Sequence, residues 1–304
     1  MSRVIEISGL LKKYAGETVV DRIDFDVQEG ECFGILGPNG AGKSTTLRMI
    51  IGLTPKDAGE LTVFGLPMSP EQKGVPPLLG VVPQEDNLDV DLSVAENLLV
   101  HGRYFGLSTS ILKEKTQALL EFAQLTKQAD QPVRQLSGGM KRRLVIARSL
   151  VADPKLVVLD EPTTGLDPQA RHMIWQRLRQ LRESGVTLLL TTHYMEEAAQ
   201  ICDRILILNH GKILDLDTPT ALIERHVEPE VIEIRGNGAK PDPSRFENLP
   251  CRVEPIGDTL YCYTHRSCDV LEPLRDEQHH LTFLHRPANL EDVFLKLTGR
   301  ELRD

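Results

Sequence analysis

The run Gly37-Pro38-Asn39-Gly40-Ala41-Gly42-Lys43-Ser44 constrains this chain more than any other stretch, because it satisfies G-x-x-x-x-G-K-[ST] in full. A short apolar run, Glu31-Cys32-Phe33-Gly34-Ile35-Leu36, precedes it, and a helical pattern from Ser44 to Gly52 follows. Strand, tight turn and helix in that order are what the motif needs. Glycines let the backbone bend until several N–H groups face one anion. The helix opening at Lys43-Ser44 adds the positive end of its dipole. The main-chain amides of residues 37–45, Thr45 included, are therefore expected to cradle a polyphosphate. Lys43 brings a point charge to the β- and γ-phosphates, and Ser44 offers a hydroxyl to Mg²⁺.

Two more apolar runs, Leu156–Leu159 and Val186–Leu190, read as buried parallel strands. They end in Asp160-Glu161 and Thr192-His193. In an open α/β sheet, ligands collect beyond the carboxyl ends of the strands. Two adjacent carboxylates are costly unless they are solvated or paired with cations. Beside a phosphate loop, Asp160 is placed to hold Mg²⁺ directly or through water, and Glu161 to polarise an attacking water. Alone, the pair suits a solvated loop start equally well. Between the runs, Ala95 to Leu125 is helix-like and Arg171–Glu183 is helical, and after the last run Met195 starts another helix. Arg3 to Val27 reads as strands turning at Ala15-Gly16, and Arg204 to Leu216 as a hairpin turning at Asn209-His210-Gly211.

A chain of 304 residues holds one large domain, or one large and one small. After about Arg225, proline, glycine and charged residues become more frequent and the strand-like pieces shorten, so residues 226–304 are expected to form a small α+β accessory domain behind a domain of residues 1–225. Asn289 reads as the N-cap of a last helix that Gly299 ends. The net charge of −9 argues against a nucleic-acid partner, which a basic stripe would mark. The local run Lys141-Arg142-Arg143 reads as a solvated helix face. Five cysteines at irregular spacing, none as CxxC, imply reduced thiols rather than a zinc site. The start has no basic segment followed by an apolar core, and no stretch approaches about 18 apolar residues. Any membrane role is then expected to come through a partner.

Leu136-Ser137-Gly138-Gly139-Met140 resembles the LSGGQ signature of ABC transporter ATPases, with Met140 where Gln is commoner. The resemblance covers residues 1–225, with the family's motifs in order. It implies an α/β P-loop NTPase fold of the ABC-type nucleotide-binding domain, with an antiparallel β subdomain and a helical signature subdomain. In that family the signature, here Ser137, Gly138 and Gly139, meets the γ-phosphate of ATP held by a second copy, giving a head-to-tail dimer. Gln84 resembles the Q-loop residue that senses Mg²⁺ and contacts the membrane partner. Gly165-Leu166-Asp167 resembles the D-loop, and His193 the switch histidine at the γ-phosphate. Tyr14 resembles the aromatic that stacks on adenine, the alternative being a packing tyrosine. The resemblance thus implies a catalytic set of Glu161, His193 and Lys43.

Leu136–Arg143 (LSGGMKRR), Asp160–Pro168 (DEPTTGLDP), Thr191–Ala198 (TTHYMEEA) and His285–Arg300 (HRPANLEDVFLKLTGR) resemble the ATP-binding subunits of Nod factor exporters. Exporters of drugs or polysaccharides in the same branch carry similar motifs. This resemblance implies ATP and Mg²⁺ as cofactors and a multi-span, NodJ-like permease as partner. It also implies a peripheral position on the cytoplasmic face of the bacterial inner membrane, held only through the permease. Soluble ABC ATPases that act on DNA or ribosomes usually carry tandem cassettes or a coiled-coil insertion, and this sequence has neither. A small-molecule kinase would use the same phosphate loop but has no reason to carry LSGGM.

Overall fold

The computed structural model describes residues 2–69, 78–236, 240–246, 248–272 and 281–299, so Arg300 of the tail motif lies outside the described residues. The chain divides into two compact units, Met1–Leu216 and Asp217–Asp304.

In the first unit, β1 (Arg3–Tyr14) and β2 (Glu17–Gln28) form a hairpin. Its turn, Ala15 and Gly16, has both residues at positive φ (49° and 90°), the twist that two-residue hairpins favour. Then come β3 (Cys32–Leu36), α1 (Lys43–Ile50), β4 (Ala58–Val63), β5 (Leu66–Pro67) and β6 (Leu79–Val82). A helical stretch follows, with α2 (Val94–Tyr104), α3 (Thr109–Ala123) and α4 (Gly138–Ser149). The unit closes with β7 (Leu156–Asp160), α5 (Pro168–Glu183), β8 (Thr187–Thr192), α6 (Met195–Ile201), β9 (Arg204–Asn209) and β10 (Lys212–Asp217).

Among the described residues these strands make two sheets. One is antiparallel, ordered β2-β1-β4-β5, and the other runs β10-β9-β3-β8-β7-β6. In the second sheet β9, β3, β8, β7 and β6 are parallel. Every residue of β3 and β8 is buried. Both faces of these strands are covered, which is why they appear in the sequence as unbroken apolar runs. Phe25 on β2 stacks on Phe33 of β3 at 5.3 Å between centroids, and Leu47, Met49 and Ile50 of α1 fill the same core. A separate core joins α2, α3 and α4 through Leu98, Leu112, Leu120 and Leu144. This is the α/β fold of an ABC-type nucleotide-binding domain, with its antiparallel and helical subdomains.

Two expectations need adjusting. The helix-like stretch from Ala95 to Leu125 is two helices, broken after Tyr104 by a turn through Gly106 and restarted at Ser108, the N-cap of α3. Strand β6 is not among the apolar runs read from the sequence. It has four residues, one of them Gly80, and it earns its place at the sheet edge by pairing with β7.

The second unit contains α7 (Pro219–His226), β11 (Glu230–Gly236), β12 (Arg252–Ile256), β13 (Thr259–Thr264), α8 (Cys268–Leu271), β14 (Leu281–Pro287) and α9 (Leu290–Thr298). Its sheet is antiparallel, ordered β12-β13-β11-β14. Ile232, Ile234, Phe246, Cys262 and Val270 form its core. Asn289 caps α9 with a reciprocal bond from Asp292, and Gly299 ends the helix at φ 68°. Arg286 holds both oxygens of the buried Asp292, at 2.7 and 2.9 Å, and Tyr263 donates to the same carboxylate at 3.1 Å. No helix among the described residues is long and apolar enough to cross a membrane.

Candidate active site

Parallel pairing brings the carboxyl ends of four strands to one edge. Leu36 stands opposite Thr192, Asp160 opposite Thr191, and Val82 opposite Leu159. The residues that follow are therefore neighbours: Gly37 after β3, Gln84 after β6, Glu161 after β7 and His193 after β8. The loop between β3 and α1 is closely packed. A Cβ on Gly37 would lie 2.2 Å from the carbonyl of Leu208, and one on Gly42 would lie 2.6 Å from that of Val19. Gly42 also sits at φ 103°, so only glycine meets both demands there. Its carbonyl accepts from the Thr46 hydroxyl at 2.9 Å, and the Gly37 amide donates to Thr192 at 3.3 Å. The first-turn amides of α1 have no partner within their own helix and point into this loop.

Lys43 is buried, and its ammonium donates to the carbonyls of Gly37 and Pro38 at 2.9 and 3.0 Å. It also lies 3.4 Å from Glu161 Oε1. Burial pulls the Lys43 pKa down, and the opposing charge of Glu161 limits the fall. Burial alone would push the Glu161 carboxyl up, but Lys43, His193 and the Thr164 hydroxyl together hold it below the usual carboxylate range. His193 Nδ1 approaches Glu161 Oε1 at 3.3 Å, as a charge contact when the ring is protonated rather than as an aligned hydrogen bond. Thr164 donates to Glu161 Oε2 at 3.1 Å. Glu161 sits at φ 46°, a strained backbone for a side chain of this type. Its amide is held by the Thr191 carbonyl and hydroxyl at 3.2 and 3.1 Å.

Asp160 Oδ1 accepts from Ser44 at 3.1 Å and from Thr191 at 2.6 Å. Ser44, Asp160 and Gln84 line one cavity of about 320 Å³ between α1 and the end of β6. Gln84 Nε2 lies 3.4 Å from Glu161 Oε2. A hydroxyl, a carboxylate and an amide are hard oxygen donors that suit Mg²⁺. Among the described residues no group of three or more His, Cys, Asp or Glu is arranged to hold a metal. That donor set fits an ion that arrives with phosphate oxygens and keeps several waters.

The basic run Lys141-Arg142-Arg143 is not a solvated face. Arg142 is 4% exposed, and its guanidinium is spent on main-chain carbonyls. It donates to Pro162 at 2.7 Å, Pro83 at 2.5 Å, Gln84 at 3.3 Å, Asp160 at 3.0 Å and Glu161 at 3.3 Å. One side chain on α4 thus ties the loop after β6 to the loop after β7. Arg143 donates to the Ala123 carbonyl at 2.7 Å. The available clue was register: Arg142 stands three and four residues before Val145 and Ile146, inside the apolar stripe of α4.

The signature residues are not in this cluster. Ser137 caps α4, accepting from the Met140 amide at 3.4 Å. Ser137, Gly139 and Met140 line a second hollow of about 180 Å³ with Asp167, Gln169 and Met173. Asp167 is the N-cap of α5, accepting from the Ala170 amide at 2.9 Å. Tyr14, at the end of β1, is 46% exposed, with the Lys12 ammonium 5.1 Å from its ring centroid.

Comparisons with known proteins agree with this geometry. The model of the ABC transporter family matches residues 20–164, and that of the C-terminal domain of the nodulation factor export protein NodI matches residues 239–299. A Nod factor export ATP-binding protein I from Ralstonia nicotianae is 50% identical, covering 99% of this chain and 95% of its own. One from Rhizobium sp. (strain N33) is 52% identical and covers 99% of both chains. Among solved structures, the ATP-binding cassette MJ0796, a dimer in a post-hydrolysis state bound to ADP and Pi, superposes with a TM-score of 0.65. It is 27% identical, over 70% of this chain and 98% of that one. A chain matched along nearly its whole length by relatives of one kind belongs with them: it is a member of the Nod factor export ATP-binding protein I family of ABC transporter ATPases.

Proposed function

We propose that this chain hydrolyses MgATP between two copies of itself and so drives a NodJ-like permease that exports a Nod factor, a lipo-chitooligosaccharide, across the bacterial inner membrane. That an ABC ATP-binding subunit binds ATP, pairs and serves a membrane permease follows from the family. The cargo, the named permease and the position on the cytoplasmic face are the proposal's own. The cassette is taken as residues 1–225 and the accessory domain as 226–304.

The observation that carries the reading is the contact of Lys43 and His193 with one carboxylate oxygen of Glu161, beside the loop of residues 37–45. A triphosphate in that loop competes with Glu161 for Lys43, because its γ-phosphate carries more charge than a carboxylate. Glu161, released from Lys43, then orients the attacking water, and His193 steadies the charge on the γ-phosphate. Gly37, Pro38 and Ala41 shape the loop through their own main-chain bonds, and the amides of Asn39, Gly40, Gly42, Lys43, Ser44 and Thr45 form the cradle. When bound, Mg²⁺ neutralises the β- and γ-oxygens. Ser44, Asp160 and Gln84 would hold it. Tyr14 stacks on adenine. Ser137 and Gly139 line a hollow apart from the loop, and Gly138 stands between them in the chain. Their helix start is therefore free to seal the γ-phosphate held by the other copy. Catalysis in this account is positioning and charge stabilisation, with no covalent intermediate.

Glu161→Gln tests the assignment. The variant complex with its permease is expected to bind ATP, accumulate as a closed dimer and lose nearly all turnover. Wild-type phosphate release from that variant would remove Glu161 from its role.

A further inference from the structure

Glu197, on α6, is 0% exposed and has no place in the phosphate chemistry above. Its carboxyl gathers donors from two other segments. The Thr163 hydroxyl donates to Oε1 at 2.8 Å and the Trp175 indole donates to the same oxygen at 3.1 Å. The other oxygen, Oε2, is buried with no hydrogen-bond partner among the described residues, and the Thr192 hydroxyl accepts from the Tyr194 amide at 2.9 Å. Both donor residues are buried. Thr192 is the last residue of β8 and precedes His193. Thr163 lies in the loop that starts at Glu161, includes Thr164 and ends at Asp167. Trp175 lies on α5, which Asp167 caps.

A buried carboxyl costs more than an apolar side chain of the same size, so packing alone does not account for a glutamate here. Among the described residues no cation sits within hydrogen-bonding range of it. Arg171 and Arg142 are the positive charges that face it, and Arg171 is engaged with the Tyr194 ring at 4.7 Å and Glu196 at 4.0 Å. Burial pushes the Glu197 carboxyl up, toward its neutral form. A carboxyl held by a hydroxyl and an indole makes a network whose use is geometric. Buried polar networks of this kind set one arrangement of the segments they join.

We propose that Glu197 is a positioning residue that locks the start of α6, two residues past His193, to the loop that runs from Glu161 to Asp167 and to α5 behind it, so that both sides of the phosphate site keep one relative placement. The inference rests on the roles proposed above for Glu161 and His193. Losing the link leaves the loop of residues 37–45 intact and loosens the groups that act on the γ-phosphate. The signature is therefore a fall in kcat with little change in KM for ATP.

The test is steady-state ATP hydrolysis by the full chain assembled with its permease. Glu197→Leu keeps the volume and removes the acceptor, and is expected to lower kcat about tenfold or more with KM within about twofold. Glu197→Gln keeps an acceptor oxygen in the same shape and is expected to restore kcat to within about threefold of wild type. Thr163→Val removes one donor and should reproduce the Glu197→Leu signature in milder form. If Glu197→Leu fails to fold, Thr163→Val alone decides. Unchanged kcat in the folded variants, or a parallel loss of ATP binding, would overturn the inference while wild-type turnover leaves the proposed function standing. A wild-type complex that releases no phosphate would instead sink the proposed function itself.

Discussion

Replacing Arg142 with methionine isolates what a buried guanidinium does in this site. Methionine matches the stem and supplies no donor. Three main-chain carbonyls, those of Pro83, Pro162 and Asp160, lose bonds of 3.0 Å or less, and those of Gln84 and Glu161 lose bonds of 3.3 Å. A hydrogen bond to a charged group contributes roughly 1.5–3 kcal/mol, and breaking a buried ionic network costs about 3–5 kcal/mol in total because the losses are not additive. Against this, burial already lowers the Arg142 pKa, so removing the charge recovers part of its desolvation cost. A net loss of about 3 kcal/mol follows. Trp175 is the single tryptophan, buried in the first unit, so its fluorescence in a urea titration reports this unit alone. ATP hydrolysis on the same sample should fall too, since the backbone of Asp160 and Glu161 loses its support. Arg142→Lys keeps one charge without the fork and should lie between the two. A Met variant within about 1 kcal/mol of wild type and with normal turnover would refute the reasoning.

Three other outcomes are expected. Gly42→Ala meets both a positive φ and the Val19 carbonyl, and strain of about 1–3 kcal/mol in the loop should weaken ATP binding by roughly 5- to 150-fold, read by nucleotide titration. Burial, and then the charge of Arg148, pull His101 on α2 down from 6.5 to about 4. As pH falls from 6.5 toward 4 the unfolded chain takes up this proton first, so stability present above 6.5 is lost progressively on acidification. His101→Gln should remove a pH-dependent component on the order of 1–3 kcal/mol, seen by comparing urea midpoints at pH 7 and pH 5 for both proteins. Ser44→Ala removes a hydroxyl that now bonds Asp160 and should raise the Mg²⁺ concentration needed for half-maximal hydrolysis more than it raises KM for ATP.

The parallel sheet was legible because its inner strands are covered on both faces. Glu31–Leu36, Leu156–Leu159 and Val186–Leu190 appear as short apolar runs, and they form β3, β7 and β8, which lie side by side in the order β3-β8-β7. Turns and caps were legible where the chemistry is local, as at Ala15-Gly16 and Asn289. Local patterns could not reveal β6, whose four residues become a strand only through pairing with β7. Nor could they separate α2 from α3, since apolar residues continue through the break. Arg142 and Glu197 were hidden for a different reason. A charged residue in a helix looks solvated unless its partners are known, and theirs are carbonyls, a hydroxyl and an indole from elements distant in sequence.

The most direct measurement is phosphate release and nucleotide-dependent pairing by the purified chain assembled with its membrane permease, with and without ATP and Mg²⁺. The account predicts that two copies close when ATP is added and that inorganic phosphate then appears catalytically. Copies that stay apart with ATP present, and no phosphate above the no-enzyme control, would contradict it.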